Sequence, residues 1–298
     1  MMSQTDNPLA KASFAYQRRF TAGMVGKVVR RVPRPLLRRA RNLLFLPLDC
    51  ADLLLGRRRE MVPPRHLGFE GDGDFEATGD EFLRYFTELG ELKPEHRVLE
   101  VGCGIGRMAR PLTKYLTTGS YEGIDIVPKG IRWCQRNISS RHPNFHFQLA
   151  DVQNHMYNPR GRYQPAQYEF PFENGQFDFT YLTSVFTHML KHDMEHYMAQ
   201  IARTLRPHAR CFITFFLLNE ESVGLMSSGS SSLDFRFRRD GCWLDDEHLP
   251  EHAVSYEEVQ VRGLYRELGL TIETIRYGAW SGRAEYLSYQ DVVIATKN

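Results

Sequence analysis

From residue 97 onward the chain alternates short apolar runs with longer stretches whose apolar positions recur every three to four residues. The short runs at 97–101, 121–124, 145–149, 178–182 and 211–217 predict β-strands, and the segments 108–116, 129–139 and 193–205 predict helices between them. Ser255 and Glu258 read as a capping box opening a further helix that Gly269 closes. Two more strands are expected at 271–277 and 289–295. Strand and helix in alternation predict an α/β domain, a doubly wound, mostly parallel sheet of seven strands with helices on both faces. The run SSGSSS at 227–232 is expected to be a mobile loop.

The first 68 residues follow a different pattern. From Lys27 to Arg41 there are seven basic residues and no acid, and then comes NLLFLPLDCADLLLG, interrupted by Pro47, Asp49 and Asp52. That stretch is too short and too punctuated to span a bilayer. Residues 1–59 carry thirteen Lys or Arg against three acids, so the overall +2 charge divides into a basic arm and an acidic body. The expected division is therefore an arm at 1–68, partly helical, and a domain at 69–298. The arm has two readings: residues 27–59 lie on an anionic membrane surface, or they pack on the domain and leave the arginines in water. An organelle transit peptide is disfavoured by Asp49 and Asp52, and no signal-peptide layout is visible. The five cysteines are scattered and never form a C-x-x-C pair, which argues against a disulfide framework or a zinc site. A cytoplasmic location, with a peripheral hold on membranes through the arm, is the expectation.

The chemistry centres on VLEVGCGIGRMA, where the first strand runs into Gly102, Cys103, Gly104 and Gly106 and opens a helix. Such a loop lets backbone approach a ligand at a helix amino end. Arg107 stands where a dinucleotide fingerprint wants its third glycine, and Glu100 stands two residues before the first. A carboxylate repels pyrophosphate and attracts a cation. S-adenosylmethionine, with an ammonium, a sulfonium and no phosphate, meets that demand better than NAD.

Together VLEVGCGIGRMA, YEGIDI, FQLADV and FPFENGQFDFTYLTSVFTHM resemble the motif series of class I S-adenosylmethionine-dependent methyltransferases, over residues 80–218. The resemblance implies a Rossmann-like methyltransferase fold. It also implies that Asp125 holds the ribose hydroxyls beside Ile126, that Asp151 and the Val152 backbone meet the adenine, and that Leu182, Thr183 and Ser184 line the cofactor near its methyl. The chain departs from the family at RPHARC (206–211), where the family has Pro-Gly-Gly, so a different turn is expected.

Methyl transfer needs an aligned acceptor, and a base only where the acceptor must lose a proton. His188 is the candidate base, with a capping or packing role as the alternative. His188, His192 and His196 recur every four residues, but a helix break at LKHD, with Asp193 capping the next helix, argues against a metal, and none is expected. Two insertions, 153–169 and 219–254, are expected to wall the acceptor pocket. They supply Tyr157, Tyr163, Tyr168 and Trp243, with Trp280 and Arg283 from the last hairpin, and core packing is the competing role for each aromatic. The function read from the sequence is methyl transfer to a small-molecule or lipid-like acceptor. The alternatives are a methyltransferase-like binding protein without turnover and an NAD-dependent oxidoreductase. Nucleic acid is not an expected partner, because the positive charge is confined to the arm. The oligomeric state is not legible.

Overall fold

Valine, leucine and aromatic residues crowd the five central runs, and a strand so composed is stable only when covered on both faces. The computed structural model, which describes residues 34–67 and 74–298 and the backbone alone at 34–42, builds that arrangement. Part of the basic run from Lys27 and the acid- and glycine-rich residues 69–73 lie outside the described residues.

A helix α1 (Arg34–Leu54) and a 3-10 turn (Arg65–Leu67) precede α2 (Phe75–Glu88). Then follow β1 (Arg97–Val101), α3 (Ala109–Tyr115), β2 (Ser120–Asp125), α4 (Pro128–Cys134), β3 (Phe145–Leu149), β4 (Phe177–Leu182), α5 (Lys191–Thr204) and β5 (Leu205–Phe215). The chain continues through β6 (Leu217–Leu218), α6 (Glu220–Ser227), β7 (Phe237–Arg239), β8 (Cys242–Leu244), β9 (Val254–Glu257), α7 (Glu258–Glu267), β10 (Leu270–Arg276) and β11 (Asp291–Lys297).

The main sheet has seven strands in the order β10-β11-β5-β4-β1-β2-β3, with β11 antiparallel to both of its neighbours and the remaining pairs parallel. One face packs Val98, Tyr121, Phe179 and Phe212 against Phe82 and Phe86 of α2 and Leu112 of α3. The other packs Leu99, Val101, Ile213 and Phe215 against Tyr197 and Ile201 of α5 and Tyr265 of α7. Strand order reverses between β1 and β4, and the carboxyl ends on either side of such a switch form a ligand crevice.

Several local expectations are corrected. The segment RPHARC is strand, not turn. Between Phe177 and Phe179 the pairing jumps from Leu205 to Arg210, so the extra residues bulge out with His208 at φ 63°. Ser255 belongs to β9 and caps nothing; α7 starts from Glu257 without a side-chain cap. The capping box sits instead at Asn219 and Ser222, which bond each other's backbone at the start of α6. Asp193 falls inside the first turn of α5, whose N-cap is Leu190. Within and beside the insertion 219–254, β6, β9, β8 and β7 make a second sheet of four strands. The serine run is pinned too, with the Ser232 amide donating to the Trp280 carbonyl at 2.8 Å.

The arm helix α1 continues through Pro47. Asp49, an interruption by pattern, is buried and accepts from the Arg65 amide (2.9 Å), the His66 amide (3.0 Å) and His66 Nδ1 (2.7 Å). Arg65 also pairs with Asp52 at 2.5 Å. The two acids latch the helix to the turn at 65–67, while its leucines from Leu43 onward stay in water: Leu43 is 78% exposed and Leu54 is 86% exposed. Among the described residues no helix is long and apolar enough to cross a membrane.

Candidate functional site

The end of β1 turns sharply because Gly102 adopts φ 85°, and a side chain there would strike Val185 Cγ2 at 2.2 Å. Gly104, at φ 54°, differs: a Cβ built on it meets nothing within 4 Å. One glycine is required by packing, and the other faces open space above the strand ends. Gly106 turns inward, where its Cβ would crowd Ile138 and Cys134.

Asp125, at the end of β2, ties this loop down. Its Oδ2 accepts from the Gly104 amide at 2.7 Å and its Oδ1 from the Val127 amide at 2.8 Å. Burial raises its pKa, a rise opposed by these backbone hydrogen bonds. Each carboxylate oxygen has two lone pairs. Asp125 can therefore hold the loop and still accept from a vicinal diol. Ile126 beside it is half-buried. Cys103 is buried, its amide bonded to the Ile124 carbonyl at 3.1 Å, so it braces the loop from beneath.

Glu100 differs in place from the carboxylate expected at the mouth of the loop. It is 2% exposed, and its Oε2 accepts from the hydroxyls of Tyr121 and, at 2.7 Å, Tyr181, its neighbours across β2 and β4. Burial pushes its pKa up to about 7, against the opposing effect of the two tyrosine bonds. The group is a buried titratable support under the cradle.

At the end of β3, Asp151 Oδ1 accepts from Asn158 Nδ2 at 3.1 Å. The Val152 side chain is buried, its amide already donates to Ala150 O at 2.7 Å, and its carbonyl accepts from Asn158. At the end of β4, Leu182 is fully buried and lines the core rather than the crevice. Thr183 is half-buried, and Ser184 is exposed at φ 59°. Its amide donates to Thr214 Oγ1 (2.8 Å) and its Oγ accepts from Gln290 (2.9 Å). A non-glycine residue held at positive φ by two fixed partners marks strain concentrated at the strand ends.

His188 closes a 3-10 turn just past Ser184, and its Nδ1 lies 2.9 Å from Glu251 O. The Tyr157 ring stands edge-on to it with centroids 6.5 Å apart. His196 is bonded to the Tyr168 carbonyl at 2.9 Å. Among the described residues no three His, Cys, Asp or Glu side chains are grouped to hold a metal.

The predicted acceptor residues divide. Tyr157 meets His188, and Tyr163 stays exposed with its backbone paired to Asp151 and Gln153. Tyr168 is core, packed on Phe170. Trp280 is fully buried, donating to Asp291 Oδ2 at 2.8 Å. Arg283 is buried as well, stacked 4.1 Å over the Tyr277 ring and bonded to Asn219 and Glu221. Trp243 lines an open groove of about 920 Å³ with Asn219, Glu257, Glu258 and Tyr277. Sequence reasoning missed Asp291, whose two oxygens accept from Leu217 N (2.7 Å), Gly278 N (2.7 Å) and Trp280. A lone aspartate opening a strand carries no pattern that reveals such a node.

A methyltransferase-domain family profile matches residues 74–275, which takes in the cradle, the strand ends and both insertions. The chain belongs to that methyltransferase family. Over 113 residues it is 34% identical to the phthiotriol/phenolphthiotriol dimycocerosates methyltransferase of Mycobacterium leprae, a match covering 37% of this chain and 34% of that enzyme. A similar stretch of 111 residues is 34% identical to the enzyme 1 of the same name from Mycobacterium ulcerans, covering 37% and 34%. The chain thus matches about a third of the length of these curated relatives. Among solved structures, the PH0226 protein of Pyrococcus horikoshii OT3 superposes with a TM-score of 0.52 at 15% identity, over 74% of this chain and 90% of that one, a likeness of fold. Members of this family use S-adenosylmethionine, and the open side of Gly104, with Asp125 beside it, has the space and the acceptor oxygens that could hold such a group.

Proposed function

We propose that the protein transfers a methyl group from S-adenosylmethionine to a lipophilic acceptor presented at a membrane surface. The observation that carries the transfer reading is the cradle: Gly104 leaves space for a ligand, and Asp125 stands at the edge of that space with acceptor capacity to spare. The bound cofactor supplies a carbon already activated for in-line displacement. The protein orients and excludes water. Asp125 accepts from the ribose, Gly102 and Gly104 bring backbone close, and Ser184 and Thr183 flank the transfer point. His188, held by its Nδ1 bond to the Glu251 carbonyl, is the side chain that takes the proton of an acceptor that must lose one.

The lipophilic and membrane part rests on α1, whose leucines from Leu43 onward are exposed, on the arginine-rich run beside it in the sequence, and on the dimycocerosates methyltransferase names of the mycobacterial relatives. Methyl-labelled cofactor incubated with the protein and a cell extract tests the reading. Label is expected in the organic-soluble fraction. Label confined to protein or nucleic acid, or binding of NAD in place of S-adenosylhomocysteine by calorimetry, overturns it.

A further inference from the structure

The groove beside Trp243 lies outside the cradle, yet the same rigid edge builds both. Gln290 bonds Ser184 at the transfer point, and its neighbour Asp291 fixes Leu217 and Gly278, which precede Leu218 and follow Tyr277 in the groove wall. The wall has an apolar strip of Leu218, Trp243, Val223 and Val259, and Val259 is 71% exposed. Two valines left in water along a concave strip hold free energy that an apolar ligand would release.

The strip is edged by carboxylates. Glu220, Glu221, Glu257 and Glu258 all line the groove, against one lining cation, Arg262. Arg262 is matched by Glu258, which also accepts from Asn219 (2.8 Å) and the Tyr277 hydroxyl (3.0 Å). Arg283, behind the wall, is matched by Glu221. Among the described residues Glu220 and Glu257 have no cation partner, and Glu257 accepts only the long 3.3 Å bond from Trp243 Nε1. Carboxylates placed so accept hydrogen bonds and attract cations, and they repel anions.

We propose that this groove holds the non-reacting body of the methyl acceptor and selects an amphiphile that carries hydrogen-bond donors and no negative charge. The apolar strip takes the chain, and Glu220 and Glu257 take hydroxyl or ammonium groups. A fatty acid or a phospholipid phosphate is rejected by the same residues. The proposal rests on the methyl-transfer reading and adds the acceptor's charge class to it.

The test uses the full chain saturated with S-adenosylhomocysteine and three amphiphiles of one chain length, decyl maltoside, decylamine and decanoate, each below its micelle concentration. Trp243 is half-buried in the wall, whereas Trp133 and Trp280 are buried, Trp280 in the cluster against which Trp243 packs, so the part of the tryptophan signal lost in Trp243→Phe is the part that reports the groove. The maltoside and the amine should change the signal saturably, and decanoate should need about tenfold more, the effect of one unfavourable charge contact. Val223→Asp, at an exposed wall position, should weaken maltoside binding about tenfold by removing apolar contact. Glu257→Gln should narrow the gap between decanoate and maltoside. Equal binding of decanoate, or maltoside binding untouched by Val223→Asp, overturns the groove proposal while S-adenosylhomocysteine binding leaves the transfer reading standing. Absence of S-adenosylhomocysteine binding overturns the transfer reading, and the acceptor role of the groove falls with it.

Discussion

Nδ1 of His188 sits 2.9 Å from the main-chain oxygen of Glu251, sixty-three residues away. A carbonyl only accepts, so Nδ1 must donate, and this fixes the imidazole tautomer. Glu251 also accepts the His155 amide through its carboxylate at 3.0 Å. One residue of the second insertion therefore joins the first insertion to the end of β4.

Replacing His188 by Asn should lower turnover about a hundredfold on an acceptor that loses a proton, the usual size of a general-base effect. Affinity for S-adenosylhomocysteine should hardly change, because the Nδ1 of His188 is anchored on Glu251 of the second insertion. Steady-state kinetics paired with calorimetry separates the two effects. Unchanged turnover across the pH range would return His188 to a structural role.

The two loop glycines should fail in different ways. Gly102→Ala puts a methyl 2.2 Å from Val185 at positive φ, so the fold itself should lose about 1–3 kcal/mol. Gly104→Ala meets no atom and costs only the roughly 1 kcal/mol of left-handed backbone. Its methyl nevertheless enters the space assigned to the cofactor. Thermal melts should show the larger drop for Gly102→Ala. Isothermal titration should show the cofactor lost from a folded Gly104→Ala protein, and full affinity there would put the cofactor elsewhere.

Asp125→Ala removes the acceptor of two loop amides as well as the proposed diol partner. Cofactor affinity should fall by about 1–3 kcal/mol, the cost of unpairing hydrogen bonds to a charged group. Stability should fall with it, because the Gly104 and Val127 amides lose their partner. A folded variant binding S-adenosylhomocysteine normally would sink the ribose role.

The sheet was legible because each strand from β1 to β5 concentrates apolar and aromatic residues, as in RVLEV and FDFTYL, between segments of helical period. The four-stranded side sheet was not. Its strands are two to four residues long, too short for a period to register. Ser255 misled because a serine three residues before a glutamate has the same spacing whether it caps a helix or ends a strand. Cradle residues were readable from local motifs, whereas Tyr168, Trp280 and Leu182 were not sorted from lining residues, since burial depends on what the chain packs beside them. Glu100 shows the same limit: its position was seen, but the Tyr121 and Tyr181 hydroxyls that receive it come from two other strands.

Glu100 should impress a pH dependence on folding. Its folded pKa of about 7 lies above the ordinary 4.5, so the folded state binds the proton more tightly than the unfolded one. Its contribution is present below pH 4.5 and is lost as pH rises towards 7. Glu100→Gln keeps the acceptor oxygen and removes the titration. The variant should therefore gain on the parent as pH rises through that window, by up to about 3 kcal/mol at 1.36 kcal/mol per unit. Urea melts of both proteins without ligand give the difference, and a gap independent of pH would remove the buried proton from the account.

The arm supplies the last expectation. Leu43 and Leu54 are eleven residues apart, about three turns, so they share one exposed face of α1. The segment from Lys27 to Arg41 adds seven basic residues, each contributing about 1 kcal/mol near an anionic surface. Apolar insertion and charge attraction are separable. Full-length protein should co-sediment with phosphatidylglycerol vesicles and hardly at all with phosphatidylcholine. Binding should weaken as salt rises, because screening shortens the reach of the arginines. Leu43→Glu with Leu54→Glu should abolish sedimentation without loosening the fold, since both side chains stand in water and the Asp49–His66 latch is untouched. An arm that packed its charges on the acidic body would sediment with neither vesicle, and the paired substitution would then change nothing.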